Sequence, residues 1–234
     1  MSAPMHLVQM RLDPAALIRF AADQRLAAHN DEDGGYVLHA WLTAMFGAAA
    51  PKPFRWIERK GEVLGYAGHD AATLLEHAKA FASPLAYAAL QPSTLLTKQM
   101  PDTWRTDHRL AVEVLACPIS RMGKTEKDVF LRELDRHGEA APSREAAYLA
   151  WFERQWGEAV HVERVELRGF ERGRVLRRGK AGDGRVQRAF ERPRALFAGV
   201  IRVRDPGAFA DCLARGIGRH RAFGFGMVLL SPAS

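Results

Sequence analysis

The amino-acid sequence predicts an α+β fold made of two successive modules, and three features carry that expectation. A strand running straight into an Asp-Pro-opened helix occurs twice, as RLDPAALIRFA near the start and RVRDPGAFADC near the end. Apolar residues at helical spacing fill Lys124 to His137 and Arg144 to Trp156, and from His161 onward strand-like text takes over. At 234 residues the chain can bury a substantial core, as one large domain or two small ones.

Taken in order, His6 to Leu12 alternates as a strand, and Asp13-Pro14 supplies an N-cap with proline at the first helical position. A helix from Tyr36 to Phe46 closes at Gly47, strands follow near Phe54 to Glu58 and Val63 to Ala67, and a helix runs from Asp70 to Phe81. Arg109 to Leu115 is expected to be the strand that closes this half. The stretch Gly138 to Pro142 breaks the two middle helices apart, and the domain boundary is expected nearby. Then come HVERVELRGF, a glycine-punctuated basic hairpin LRRGKAGDGR, VQRAFE, ALFAGVIRV, a helix opened by Asp205-Pro206 and stopped at Gly216, and FGMVLLS. Two ferredoxin-like (RRM-like) modules accommodate this order. The expected division is an N-terminal domain over 1–117, a helical insert or linker over 118–142 and a C-terminal domain over 143–234.

Composition bounds the function. Lys and Arg number 34 against 27 Asp and Glu, a formal charge of +7, which favours a polyanionic partner without fixing specificity. No apolar run reaches the roughly 18 residues needed to span a bilayer, and MSAPMHLVQMRLD lacks the basic-then-apolar order of a signal peptide, so cytoplasmic residence is expected. Cys117 and Cys212 are too few for a disulfide framework and lack the CxxC spacing of a zinc site; structural thiols are expected.

Candidate chemistry begins on the helix YVLHAWLTAMFG, where Val37, Leu38, Trp41, Leu42 and Met45 gather on one side. Tyr36 and His39 lie off that stripe and, being three apart, share a face. A phenol beside an imidazole can move protons near neutral pH. The bland reading, a tyrosine at a helix start and a surface histidine, weighs more on spacing alone. The other histidines have no partner at ligand spacing, and Glu76-His77 lacks the second histidine of a zinc hydrolase, so neither metal nor cofactor is expected.

The tail GIGRHRAFGFG interleaves Gly216, Gly218, Gly224 and Gly226 with Arg219, His220 and Arg221 just after a helix end. Glycines permit positive φ and close ligand approach, and freed backbone N–H groups beside guanidinium forks suit phosphate oxygens. A dinucleotide-binding loop is excluded because these glycines follow a helix and lead into a strand; Gly123-Lys124-Thr125 lacks the upstream glycine of a Walker loop. Around the hairpin, Arg172, Arg174, Arg177, Arg178, Lys180, Arg185 and Arg188 form a basic ribbon that suits an RNA groove, or equally a charged edge that prevents sheet aggregation.

YVLH on an early helix, the LRRGKAGDG hairpin, ALFAGVIRVRDP and the terminal GIGRHRAFGFGMVLLSP, in that order, resemble the CRISPR precursor-RNA endonucleases of the CasE branch, within the repeat-associated RNA-binding (RAMP) superfamily. The resemblance covers most of the chain and is weakest from Lys79 to Arg136. It implies tandem ferredoxin-like domains that recognise the stem-loop of a CRISPR repeat and cut at the 3′ base of the stem without metal, giving a 2′,3′-cyclic phosphate and a 5′-hydroxyl. Its YxxH pair maps onto Tyr36 and His39, its glycine-rich loop onto Gly216, Gly218, Gly224 and Gly226, and its groove-entering hairpin onto Arg177, Arg178 and Lys180. It also implies that the protein stays on the crRNA as a subunit of an effector complex; the alternative is a non-catalytic hairpin-binding subunit. Met122 to Pro142 is longer than the CasE pattern, which makes the type IV relatives an alternative branch, one in which Arg11, Arg19 or Arg25 carries more of the catalysis.

Overall fold

The structure, a computed structural model, describes residues 4–26, 34–123, 125–181 and 184–233, and the side chains of all of these except 174–190. The chain groups into two compact units. The first is Met1–Asp102 with Arg174–Phe190 and Arg221–Gly224; the second is Thr103–Gly173 with Glu191–His220 and Phe225–Ser234.

In the first unit, β1 (His6–Arg11) leads into α1 (Pro14–Asp23), whose N-cap Asp13 accepts from the Ala16 amide at 3.0 Å with Pro14 at the first turn. There follow α2 (Gly34–Phe46), β2 (Phe54–Ile57), β3 (Glu62–Ala67), α3 (Ala71–Phe81), α4 (Pro84–Ala88) and β4 (Leu96–Gln99). Asp70 and Ser83 cap α3 and α4 in the same way. The antiparallel sheet has the order β2-β3-β1-β4, which is the ferredoxin-like βαββαβ arrangement. Because strand side chains alternate, Val8 and Met10 of β1 point into the core, where they cluster with Leu38, Trp41, Leu42 and Met45 of α2.

The second unit repeats the plan with an addition. Its elements are β5 (Arg109–Ala116), a hairpin of β6 (Ile119–Met122) and β7 (Thr125–Asp128), α5 (Val129–His137), α6 (Arg144–Trp156), the long strands β8 (Val160–Ala181) and β9 (Gly184–Val203) apart from their 174–190 ends, which group with the first unit, α7 (Pro206–Arg215) and β10 (Val228–Pro232). The sheet order is β10-β5-β9-β8, with β6 and β7 forming a separate ribbon. Phe152 of α6 stacks on Phe197 of β9 with ring centroids 4.5 Å apart, and Phe209 of α7 lies in the same unit's core beside Trp156. Cys117 and Cys212 are buried free thiols.

Two sequence expectations change. Arg109–Ala116 does not close the first half: it pairs with Ala195–Arg202 of β9 and with β10, so it stands in the second unit although it falls within the expected 1–117 domain. Period-two alternation identifies a strand but not its partner, which here lies roughly 80 or more residues further on. The helix expected from Lys124 to His137 starts only at Val129, after the β7 strand, because Asp128 accepts from the Phe130 amide at 2.8 Å and caps it there. Lys124 lies outside the described residues. The break at Gly138 to Pro142 is real, but α5 and α6 on either side both belong to the second unit.

Between α7 and β10 the tail closes on itself, as the Ile217 amide donates to the Gly226 carbonyl at 2.8 Å and the Gly226 amide to the Leu115 carbonyl of β5 at 2.7 Å. Gly226 has φ +81°, and a Cβ there would stand 2.2 Å from the Ile217 oxygen. Gly226→Ala is therefore expected to destabilise the protein by at least roughly 1–3 kcal/mol from the left-handed backbone alone. At about 2–4 °C per kcal/mol for a chain of this size, calorimetry should show a midpoint several degrees lower. An unchanged midpoint would mean that this backbone closure is not held in solution.

Candidate active site

Helix α2 is fixed by its apolar side, where Leu38, Trp41, Leu42, Met45 and Phe46 are buried, and by the Trp41 indole N–H, which donates to the Ala86 carbonyl at 2.9 Å. Val37 of the predicted stripe is only half-buried. Tyr36 and His39 are also half-buried, and Tyr36, expected to lie off the core, packs against its edge. The Tyr36 ring stacks on Phe223 of the tail with centroids 5.9 Å apart and planes 26° apart. A short 3-10 turn, Arg221–Phe223, carries that phenylalanine, and Arg221 is half-buried within it. Burial, and secondarily the nearby Lys52 ammonium, pushes the His39 ring below its usual pKa, because both disfavour a second positive charge. The neutral ring is thereby favoured more than in a free histidine.

All four tail glycines have positive φ: 75° at Gly216, 73° at Gly218 and 81° at both Gly224 and Gly226. What demands glycine is the chain itself. A Cβ on Gly218 would stand 2.9 Å from the buried Trp151 ring, so close approach is used internally at this position. His220 adopts φ +60°, rare for a residue with a side chain.

Arg219 and His220 converge on one carboxylate. Glu126 of β7 accepts from Arg219 Nε at 2.9 Å, lies 3.0 Å from His220 Nε2, and accepts from Arg192 Nη2 of β9 at 3.2 Å. Burial alone would raise the Glu126 carboxyl, but His220 and Arg219 outweigh it and hold the carboxyl below its ordinary value. Burial likewise lowers the His220 ring despite the pull of Glu126. Sequence reading missed Glu126, since no spacing rule connects residues 93 apart.

The hairpin candidates Arg177, Arg178 and Lys180 lie on β8, and Arg185 and Arg188 on β9; their side chains are outside the described residues. Arg11 ends β1, Arg19 lies on α1 and Arg25 follows it with φ +52°, all exposed. Among the described residues no group of three or more His, Cys, Asp or Glu could hold a metal ion, and no helix is long and apolar enough to cross a membrane.

Glu126→Gln keeps the shape of the side chain and removes its charge. Losing hydrogen bonds to charged partners is expected to cost about 2 kcal/mol at neutral pH. Because the folded carboxyl sits below its unfolded value, its contribution is present above the unfolded pKa of about 4.3 and is lost as pH falls through the folded one. Denaturant titrations of both proteins should therefore converge in acid. A gap independent of pH would show that the carboxylate charge contributes nothing.

The sequence matches the family described as CRISPR associated protein over residues 5–232. No curated protein sequence matches the chain. Among solved structures it is similar to Thermus thermophilus Cse3 bound to an RNA representing a pre-cleavage complex, at 18% identity and TM-score 0.64 over 98% of this chain and 100% of that one. It is also similar to Cas6e of Escherichia coli K-12, at 21% identity and TM-score 0.59 over 97% of this chain and 100% of that one. At these identities the likeness is one of fold, and it matches the two βαββαβ units seen here. Over nearly its whole length, then, this chain belongs to the CRISPR associated protein family.

Proposed function

We propose that the protein is a metal-independent endoribonuclease that cuts CRISPR repeat stem-loops in precursor RNA and then stays bound to the product. The observation that carries this reading is the Tyr36–Phe223 stack, which within the first unit sets the Arg221–Phe223 turn against the helix that bears His39. Family membership and fold support it, since similar structures include a CRISPR endoribonuclease bound to a 19-nt RNA and a chain of a CRISPR RNA-guided surveillance complex.

In the proposed reaction the 2′-oxygen bonds to the adjacent phosphorus and the bond from phosphorus to the 5′-oxygen breaks. The products are a 2′,3′-cyclic phosphate and a 5′-hydroxyl. One group takes the 2′-hydroxyl proton and another supplies a proton to the leaving oxygen. A ring kept neutral by burial and Lys52 suits the first role, so His39 is the proton acceptor in this scheme. The Tyr36 hydroxyl, its ring held by Phe223, orients the reacting groups. Cations of the tail and hairpin, Arg221, Arg177, Arg178, Lys180, Arg185 and Arg188 among them, offset charge on the phosphorane and hold the stem.

Incubation with repeat RNA in EDTA is expected to give one cut, and His39→Ala to slow it by about 10²–10⁴-fold. No cleavage, or cleavage only with Mg²⁺, would refute the reading. If His39→Ala cuts as fast as wild type while Arg177→Ala with Arg178→Ala abolishes binding, the protein is an RNA-binding subunit whose catalysis does not use this histidine. The single-turnover rate of the wild type should rise with pH to a plateau. Its midpoint should fall below about 6.5, the ordinary histidine value, because an acceptor works only when unprotonated. In His39→Ala that inflection should vanish.

A further inference from the structure

The second unit contains an open concavity of about 590 Å³, built where α5, α6, β6 and the start of the tail meet. Four guanidinium groups line it: Arg132 and Arg136 from α5, Arg154 from α6 and Arg219 from the tail. The carboxylate in the lining is Glu133, which already binds Arg136 Nη1 at 3.2 Å and His137 Nε2 at 3.5 Å. Counting Glu126 on Arg219 as well leaves four positive charges against two negative, a surplus of two.

Two properties mark the concavity as a built site. Arg132 is held in place, its Nη2 donating to the carbonyls of Ser120 at 3.1 Å and Thr125 at 3.2 Å. Its buried Nε, and the buried Oγ of Ser120 on the same wall, have no hydrogen-bond partner among the described residues. These two atoms face inward, so an entering phosphate meets the exposed guanidinium edges of Arg136, Arg154 and Arg219 instead. Arg154 is exposed and makes no ion pair among the described residues. Ser120 and Gln155 add neutral hydrogen-bonding groups to the same lining, and Trp151 closes its floor beneath Gly218.

We infer that this concavity is a second binding site for the RNA backbone, taking one or two phosphodiesters by charge and hydrogen bonding without reading bases. Forked guanidiniums on separate elements, with neutral donors between them, match phosphate oxygens. Arg219 also ties the site to the tail, four residues before the Phe223 that stacks on Tyr36. The inference deepens the proposed function and rests on it for the identity of the polyanion. Nothing in the sequence marked this cavity, because its arginines are scattered from residue 132 to residue 219.

Arg136→Ala with Arg154→Ala tests it, since both side chains are exposed and their loss leaves the fold intact, as an unchanged thermal midpoint will verify. By fluorescence anisotropy in EDTA, affinity for repeat RNA should fall roughly tenfold. The slope of log affinity against log salt should shallow by roughly 1–2, since each neutralised phosphate contributes about 0.7–0.9 to it. Unrelated single-stranded RNA should show the same change in slope, and the paired Arg→Lys variant should restore most of it. The cleavage rate of saturated complex should not move. An unchanged salt slope overturns the inference, as does a double variant that binds RNA normally but no longer joins a protein complex. Wild-type protein that binds RNA with this dependence but never cuts it refutes the proposed nuclease activity and leaves the site standing. Wild-type protein that binds no RNA removes both.

Discussion

The closure of the tail by Ile217 and Gly226 is the constraint on which the second unit's arrangement of Arg219 and His220 depends. A single backbone hydrogen bond, possible only because residue 226 has no Cβ, turns the chain between α7 and β10 into a fixed loop. Within the second unit it presents Gly218 against Trp151 and Arg219 and His220 on Glu126, while within the first Phe223 rests on Tyr36. A free loop would present the same residues over many conformations, and ordering each backbone residue costs about 1–2 kcal/mol. Here that cost is met by packing before any ligand arrives.

Glu126 gives this arrangement its electrostatic logic. Three cationic or titratable groups, from the tail and from β9, share one carboxylate that is mostly buried. Such a cluster holds positive charge in place without letting the cations repel one another apart. It also separates two roles that the tail sequence presents as one. Arg219 and His220 are engaged within the second unit, whereas Arg221 and Phe223 belong to the first, with Tyr36 and His39.

The extra segment of the second unit has a comparable consequence. A helix alone at residues 124–137 would have displayed its arginines to solvent. With β6 and β7 preceding it, α5 is capped by Asp128 and packed so that Arg132 anchors to the hairpin carbonyls, and a walled basic concavity results. The same Asp128 carboxylate accepts from Arg144 and from the Tyr148 hydroxyl, each at 2.8 Å, which joins α6 to the hairpin.

By itself the sequence determined the local pieces. Asp-Pro pairs at 13–14 and 205–206 start helices because a short carboxylate caps and a proline needs no amide partner; Leu38, Trp41, Leu42 and Met45 of the stripe on α2 are buried while Tyr36 and His39 stay half-buried; the tail glycines sit where positive φ is needed. These are interactions within a few residues, so spacing records them. Tertiary structure decided what lay far apart in the chain: that β5 pairs with β9 and β10, that Glu126 receives Arg219 and His220, that Phe223 rests on Tyr36, and that arginines of α5, α6 and the tail enclose one cavity. Pairing register, ion pairs and ring stacking between distant segments are set by the closing of the whole chain, and no local periodicity encodes them.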